Sequence, residues 1–273
     1  MKLTPAPVEM NSNACFTLQR VGFSYGEKSI LQSLDWSLIQ GGFESIIGRS
    51  GCGKSTLLQL LCGLLLPTRG ELFFKGNALT KPRIEISYVF QKPNLLEWLS
   101  VIDNVLMPMK IRGEVTSSVK KQAMEILDLL GISAHAYRPT WQLSGGEQSR
   151  VSIARALVAS PQVLLMDEPF AALDAITREE LQGELRHLHD QLGLTTVFVT
   201  HDIQEAIYLA DRVHVLEQGH FVHSQDIEFM TLRQPGLKDE VQFANYSNLL
   251  RNSLACVAPN SKGSSSAQGV VHV

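Results

Sequence analysis

A run of small residues that ends in a lysine and two hydroxyls is the first part of this chain that could do chemistry. Its glycines let the backbone turn tightly and direct consecutive N–H groups at an anion, and its lysine adds a positive charge. We therefore predict that this run, called here the phosphate loop, holds a nucleoside triphosphate, with Ser55 offering an oxygen to Mg²⁺. The residues predicted to contact the nucleotide are Gly48, Arg49, Ser50, Gly51, Cys52, Gly53, Lys54, Ser55 and Thr56.

A second small-residue segment, residues 143–147, has the sequence LSGGE. The hydroxyl of Ser144 and the backbone amides of Gly145 and Gly146 would form another anion-binding surface. One chain cannot easily fold both surfaces around a single phosphate. We therefore expect a head-to-tail dimer, in which ATP lies between the phosphate loop of one copy and the LSGGE segment of the other.

Two neighbouring carboxylates, Asp167 and Glu168, follow the apolar run 163–166. Asp167, at the predicted strand end, is suited to hold Mg²⁺ through water, and Glu168 is suited to polarise the attacking water as a general base. The same pair could instead cap the next helix. The presence of the phosphate loop favours the catalytic interpretation.

Three further side chains could complete the site. His201 follows the apolar run 196–200 and could contact the γ-phosphate, while Gln91 follows the run 88–90 and could reach Mg²⁺ or the attacking water. Tyr25 could stack on adenine, since a π-face needs only a flat partner. His201 could instead be a structural or exposed histidine and Tyr25 an ordinary strand tyrosine, and Gln91 alone would be uninformative.

The elements that must position these residues alternate between strand and helix. Residues 43–47 predict a strand before the phosphate loop, and residues 54–65 predict the helix after it. The continuous apolar runs 163–166 and 196–199 are typical of parallel strands that are buried on both faces. The more helical range 95–158 indicates a helical lobe inserted in an α/β core.

Composition restricts the partners. The net charge of −3 gives no basic surface for nucleic acid, which we do not expect as a partner. The four cysteines form no C-x-x-C pair, which argues against zinc and disulfides and suits a reducing cytosol. No run reaches the roughly 18 to 20 apolar residues of a membrane span, so we expect a soluble chain that meets a membrane only through a partner.

In this order, the motifs resemble those of the ATP-binding subunit of ABC transporters, across about residues 16–235. The resemblance implies a P-loop NTPase core of the RecA-like α/β type, with an antiparallel β subdomain and an inserted α-helical lobe. It also implies two subunits that sandwich two ATP molecules, with Ser144, Gly145 and Gly146 facing the γ-phosphate on the other subunit. Asp174 then belongs to the loop that crosses the dimer interface beside Glu168.

Finer features are similar to bacterial importers of the nitrate, sulfonate and taurine type, a group that includes importers of thiamine-precursor pyrimidines. These features are residues 93–105, Trp141 with Gln142, and residues 167–178. The similarity implies an ATPase that works with transmembrane permease subunits and, indirectly, a substrate-binding protein. It places the chain peripherally on the cytoplasmic face of the inner membrane, and Trp98 becomes a candidate contact for the permease.

Other functions stay open at this point. The chain could be the ATPase of an exporter or of a lipoprotein-release system, or a non-transport ABC ATPase that acts on DNA or ribosomes. A monomeric nucleotide kinase would leave the LSGGE segment unexplained. The predicted organisation is a flexible leader over 1–14, the ATP-binding domain over 15–235 and a C-terminal extension over 236–273 that is disordered from about 257.

Overall fold

The computed structural model describes residues 13–229, 233 and 236–256. The strands are β1 (Ala14–Tyr25), β2 (Lys28–Ile39), β3 (Phe43–Ile47), β4 (Arg69–Phe74), β5 (Asn77–Ala78), β6 (Ile86–Val89), β7 (Val163–Asp167), β8 (Thr195–Thr200), β9 (Arg212–Glu217) and β10 (His220–Asp226). The α-helices are α1 (Lys54–Leu61), α2 (Val101–Val105), α3 (Met107–Arg112), α4 (Ser117–Leu129), α5 (Gly145–Leu157), α6 (Ala175–Leu192), α7 (Ile203–Leu209) and α8 (Val241–Cys256).

A six-stranded sheet forms the centre of the molecule, in the order β10-β9-β3-β8-β7-β6. The strands from β9 to β6 are parallel, and β10 adds an antiparallel edge. Every residue of β3 and β8 is buried. The continuous apolar runs predicted as parallel core strands are therefore confirmed, because helices or a second sheet cover both faces.

A second, antiparallel sheet has the order β2-β1-β4-β5. Helix α1 lies between the two sheets: its Leu57 and Leu61 belong to one buried cluster with Phe16 of β1 and Val197 of β8. The other face of the central sheet packs against α5, α6, α7 and α8, with Phe198 and Leu250 in that cluster. The result is an α/β core with an antiparallel β layer, as predicted.

The helix after the phosphate loop is shorter than predicted, since α1 ends at Leu61 and not near residue 65. Gly63 has a φ of +75°, which a helix does not allow, and it turns the chain. A Cβ at Gly63 would lie 2.7 Å from the carbonyl carbon and oxygen of Lys81. The close approach of another backbone segment therefore requires glycine here, and it stops the helix early.

Helices α2 to α5 lie inside the range 95–158. The buried amide of Asn104 fixes the loop before them, because its Nδ2 donates to the carbonyls of Leu96 and Ser100 while its Oδ1 accepts from the Leu96 N–H. Strand β1 begins at Ala14, which the prediction assigned to the leader. Residues 1–12 of that leader, and the tail from 257, lie outside the described residues, so the domain boundaries stay a prediction.

Within the described part of the chain, no helix is both long and apolar enough to cross a bilayer.

His189, in the last turn of α6, is a buried histidine that packs between the helix and the central sheet. Its Nδ1 lies 2.9 Å from Thr196 Oγ1, and its ring centroid lies 5.0 Å from that of Phe43. Burial, aided by the charge of Arg186, lowers the His189 pKa to about 4. The folded protein therefore keeps this ring neutral at pH values where an unfolded chain would protonate it.

The consequence is a loss of stability in acid. An unfolded histidine binds a proton below a pKa of about 6.5, whereas folded His189 resists until about 4, so the free energy of unfolding falls as pH drops through that window. We expect the wild type to lose about 2 kcal/mol more than His189→Gln between pH 7 and pH 5. Urea unfolding at both pH values measures this difference. His187→Gln, at an exposed position of the same helix, is the control, and equal losses in all three proteins would contradict the assignment.

Candidate functional site

The carboxyl ends of β3, β6, β7 and β8 meet at one edge of the central sheet, and a cavity of about 610 Å³ lies there. The segments that follow these four strands carry most of the predicted site. The lining residues are Tyr25, Lys28, Ile30, Ser50, Gly51, Gly53, Lys54, Ser55, Thr56, Gln91, Glu168 and His201. Ten of these twelve were predicted from sequence; Lys28 and Ile30 were not.

The phosphate loop wraps around the ammonium group of Lys54. Lys54 Nζ donates to the carbonyl of Gly48 at 2.9 Å and to that of Arg49 at 3.2 Å. Position 48 has room only for glycine, since a Cβ there would lie 2.2 Å from the carbonyl oxygen of Leu216. Gly51, by contrast, has a φ of +79° and faces open space. The loop is closely packed on the core side and open on the cavity side, as a phosphate cradle requires.

Asp167, at the end of β7, is held by two hydroxyl groups. Ser55 Oγ donates to Asp167 Oδ1 and Tyr88 OH donates to Asp167 Oδ2, each at 3.1 Å. Burial raises the Asp167 pKa, helped by the neighbouring charge of Glu168, although the two hydroxyl donors oppose the shift. Hydroxyl and carboxylate oxygens are the ligands that Mg²⁺ prefers, so this arrangement fits the predicted metal site.

Glu168 lies between the side chains of His201 and Lys54. Its Oε2 is 3.0 Å from His201 Nδ1, and its Oε1 is 3.8 Å from Lys54 Nζ. Its φ of +45° is unusual for a residue other than glycine, and a hydrogen bond from its N–H to the Val199 carbonyl, at 2.9 Å, holds that turn. A carboxylate fixed in this way beside the lysine of the phosphate loop can accept a proton from a water molecule in the cavity.

Tyr25 and Gln91 both line this cavity. The Tyr25 side chain is 52% exposed and stands edge-on to Phe23, with ring centroids 4.8 Å apart. Its π-face is thus available for stacking. Lys28 pairs with Tyr25 across a tight hairpin turn, so a hairpin prediction at Gly26 and Glu27 would have found it.

Three predicted loop residues, Gly48, Arg49 and Cys52, lie outside the cavity lining. Cys52 is buried, and burial is the main cause that raises the pKa of its thiol. The Arg49 side chain points away and donates from Nη2 to the Leu254 carbonyl in α8 at 3.4 Å. The backbone carbonyl of Arg49 contributes to the loop, since it accepts from Lys54 Nζ and from the Cys52 N–H.

The remaining predicted residues, Ser144, Gly145, Gly146 and Asp174, lie outside this cavity at the beginnings of two helices. Ser144 caps α5: its Oγ accepts from the Glu147 N–H at 3.3 Å, while Glu147 Oε2 accepts from the Ser144 N–H at 2.7 Å. Burial alone would raise the Glu147 pKa, but these bonds from Ser144 and the nearby His135 lower it. The cap therefore carries a negative charge that suits a helix N-terminus.

Asp174 caps α6 in the same way. Its Oδ1 accepts from the Thr177 N–H at 3.0 Å, and its Oδ2 accepts from the Thr177 hydroxyl at 2.8 Å. The two helix starts touch each other, since a Cβ at Gly146 would lie 2.4 Å from Thr177 Cγ2. Ser144, Gly145 and Asp174 are exposed, so they form a second polar surface. This surface shares no residue with the lining of the cavity.

A comparison with protein families decides the class. Residues 31–171, more than half of the chain, match the family described as ABC transporter. The chain belongs to the ABC transporter family. It is an ATP-binding subunit whose ATP hydrolysis is coupled to transport, and the predicted fold and enzyme class are confirmed.

Relatives within the ABC transporter family are named as import subunits. The chain is 43% identical over 203 residues to the aliphatic sulfonates import ATP-binding protein SsuB of Yersinia pestis, covering 74% of this chain and 73% of that protein. It is 38% identical over 257 residues to the SsuB of Burkholderia pseudomallei (strain K96243), covering 92% and 75%. The chain therefore groups with ATPase subunits of importers, as predicted.

Solved ABC cassettes have the same fold. A dimeric post-hydrolysis structure of the ATP-binding cassette MJ0796, bound to ADP and Pi, superposes with a TM-score of 0.70 at 32% identity, covering 79% of this chain and 100% of that one. The cbiO1 protein from Clostridium perfringens, part of the cbiONQ transporter complex, gives a TM-score of 0.74 at 26% identity, covering 89% and 99%.

The contact between Gly146 and Thr177 yields a stability prediction. Thr177 is pinned by its hydroxyl bond to Asp174, so its methyl group cannot easily move away from an alanine at position 146. We expect Gly146→Ala to lower the free energy of unfolding by about 2 kcal/mol, measured by urea denaturation. Adding Thr177→Ser, which removes the methyl and keeps the hydroxyl, should restore most of the loss.

Gly145→Ala is the matched control. A Cβ at Gly145 meets its nearest neighbour, Leu173 Cδ2, at an ordinary 3.8 Å, so we expect no loss of stability. Equal effects of the two glycine substitutions, or a failure of Thr177→Ser to rescue, would contradict the packing argument.

Proposed function

We propose that this chain powers the uptake of a sulfonate-type anion. The relatives from Yersinia pestis and Burkholderia pseudomallei, named for aliphatic sulfonate import, are the observation that carries the substrate class. Taurine, nitrate and a thiamine-precursor pyrimidine are the other substrates of the transporter group to which the sequence is similar. In this proposal the partner subunits, and not the ATPase, bind the transported substrate.

In the proposed hydrolysis of ATP, each predicted residue in and next to the cavity has its own role. The backbone amides of the phosphate loop and Lys54 would bind the phosphates, with Tyr25 against the adenine. Ser55, Gln91 and Asp167 would hold Mg²⁺, which neutralises charge on the phosphates when it is bound. Glu168 would take the proton of the attacking water, with His201, 3.0 Å away, holding the carboxylate and the γ-phosphate in place.

We further propose a head-to-tail dimer as the active form. Helices α5 and α6 begin at the exposed caps Ser144 and Asp174, and the first N–H groups of a helix are of the kind that bind anions. In the dimer, Ser144, Gly145 and Gly146 of one copy would close over the γ-phosphate held by the other. The dimeric MJ0796 cassette, to which this chain is similar, supports the arrangement. Loss of the γ-phosphate would remove the shared contact and let the subunits part.

A groove beside β6 and the helical lobe is the proposed contact for a transmembrane permease. This groove, called here the lobe groove, has a volume of about 350 Å³ and includes Tyr88, Phe90, Arg112 and Arg155. Much of the apolar segment after Gln91 is buried in the lobe itself, but Trp98 is 79% exposed. Peripheral attachment to the cytoplasmic face follows from such a contact, with a substrate-binding protein acting on the opposite face.

Uptake in cells tests this function. In a strain deleted for the chain, we expect uptake of a labelled aliphatic sulfonate to fall and the wild type to restore it. Glu168→Gln should fail to restore it, because a carboxamide cannot accept the proton. Glu125→Gln, at an exposed position of α4, is the control and should restore uptake fully.

Uptake of labelled taurine, nitrate and a hydroxymethylpyrimidine is measured in the same deletion strain. If uptake of one of these is lost and uptake of the sulfonate is not, that compound is the substrate. Unchanged uptake of all four would overturn the importer proposal and favour the ATPase of an exporter.

A further inference from the structure

We propose that Tyr88 is a positioning residue for the metal site, whose hydroxyl fixes the carboxylate of Asp167 for Mg²⁺. The inference rests on the proposed role of Asp167 as the carboxylate of that site. Tyr88 belongs to none of the sequence motifs, and its hydroxyl lies 3.1 Å from Asp167 Oδ2.

The two oxygens of Asp167 each receive one hydrogen bond, from two different residues. Ser55 Oγ donates to Oδ1, and Tyr88 OH donates to Oδ2. Two such bonds fix the plane of a carboxylate that would otherwise rotate about its last torsion. Because Ser55 lies in the first turn of α1 and Tyr88 lies in β6, the orientation of Asp167 depends on two separate elements.

The direction of the Tyr88 bond is fixed as well. A carboxylate can only accept, so the phenol must donate and keep its proton. Burial, together with the charge of Asp167, raises the Tyr88 pKa far above its usual range, which keeps the hydroxyl protonated. The phenol is therefore the donor to Asp167 Oδ2.

Strand pairing and packing against neighbouring side chains fix the position of the Tyr88 ring. Strand β6 pairs in parallel with β7, with Tyr88 opposite Leu165 and Val89 opposite Met166. The ring lies 4.6 Å from that of Phe90 and packs against the buried cluster between the two sheets. The same ring lines the lobe groove, so one side chain joins that groove to the metal carboxylate through a single hydrogen bond.

Tyr88→Phe removes only the hydroxyl and is the direct test. We expect the Mg²⁺ concentration for half-maximal binding of a fluorescent ATP analogue to rise about 10-fold, since partners of metal-binding carboxylates tune metal affinity. Binding of the same analogue in EDTA should be unchanged, which a general loss of structure would not allow. Tyr137→Phe, at an exposed tyrosine, is the control and should leave both values as in the wild type.

Asp167→Asn separates this inference from the proposed function. We expect Asp167→Asn to raise the Mg²⁺ requirement, and Tyr88→Phe to add nothing further in that background, because its effect runs through the carboxylate. If Asp167→Asn shifts the requirement and Tyr88→Phe does not, the Tyr88 inference alone is overturned. If Asp167→Asn also behaves as wild type, the proposed metal role of Asp167 is overturned and the inference falls with it. A thermal melt of Tyr88→Phe confirms that the variant is folded.

Discussion

The parallel pairing of β3, β6, β7 and β8 is the constraint on which the rest of the structure depends. Parallel strands place their carboxyl ends at one edge, so the segments that follow them meet there although they are distant in sequence. The phosphate loop, Gln91, Glu168 and His201 all follow these strands. Burial of the sheet on both faces makes slippage costly, since a one-residue shift would turn the buried side chains of β3 and β8 to the opposite face.

In the proposed dimer, a single copy carries only part of each ATP site. Ser144 and Asp174 begin helices whose packing fixes them outside the cavity, and the close contact of Gly146 with Thr177 ties the two helix starts together. In the proposed head-to-tail dimer, a second copy would bring its nucleotide to these exposed helix N-termini, which would give ATP a direct part in holding the two subunits together.

Much of the site could be predicted because its residues carry local signals. The phosphate loop, the carboxylate pair and His201 each adjoin an apolar run, and the carboxyl ends of such runs converge in a parallel sheet. Tyr88 could not be found in this way, because its contact with Asp167 comes from strand pairing, whereas Lys28 required a hairpin prediction at Gly26 and Glu27. The early end of α1 was also missed, since it depends on the backbone of Lys81 approaching Gly63. Long-range contacts of this kind leave no pattern in the neighbouring sequence.

The mass of the purified Glu168→Gln variant in solution, by light scattering, tests the central claim that ATP completes its site between two copies. Without nucleotide the chain should show its own mass of 30.2 kDa. With saturating Mg²⁺ and ATP, which this variant would bind without hydrolysing, the account predicts twice that mass, and Ser144→Arg in the same variant should prevent the increase. A mass that stays at 30.2 kDa under saturating ATP would contradict the account.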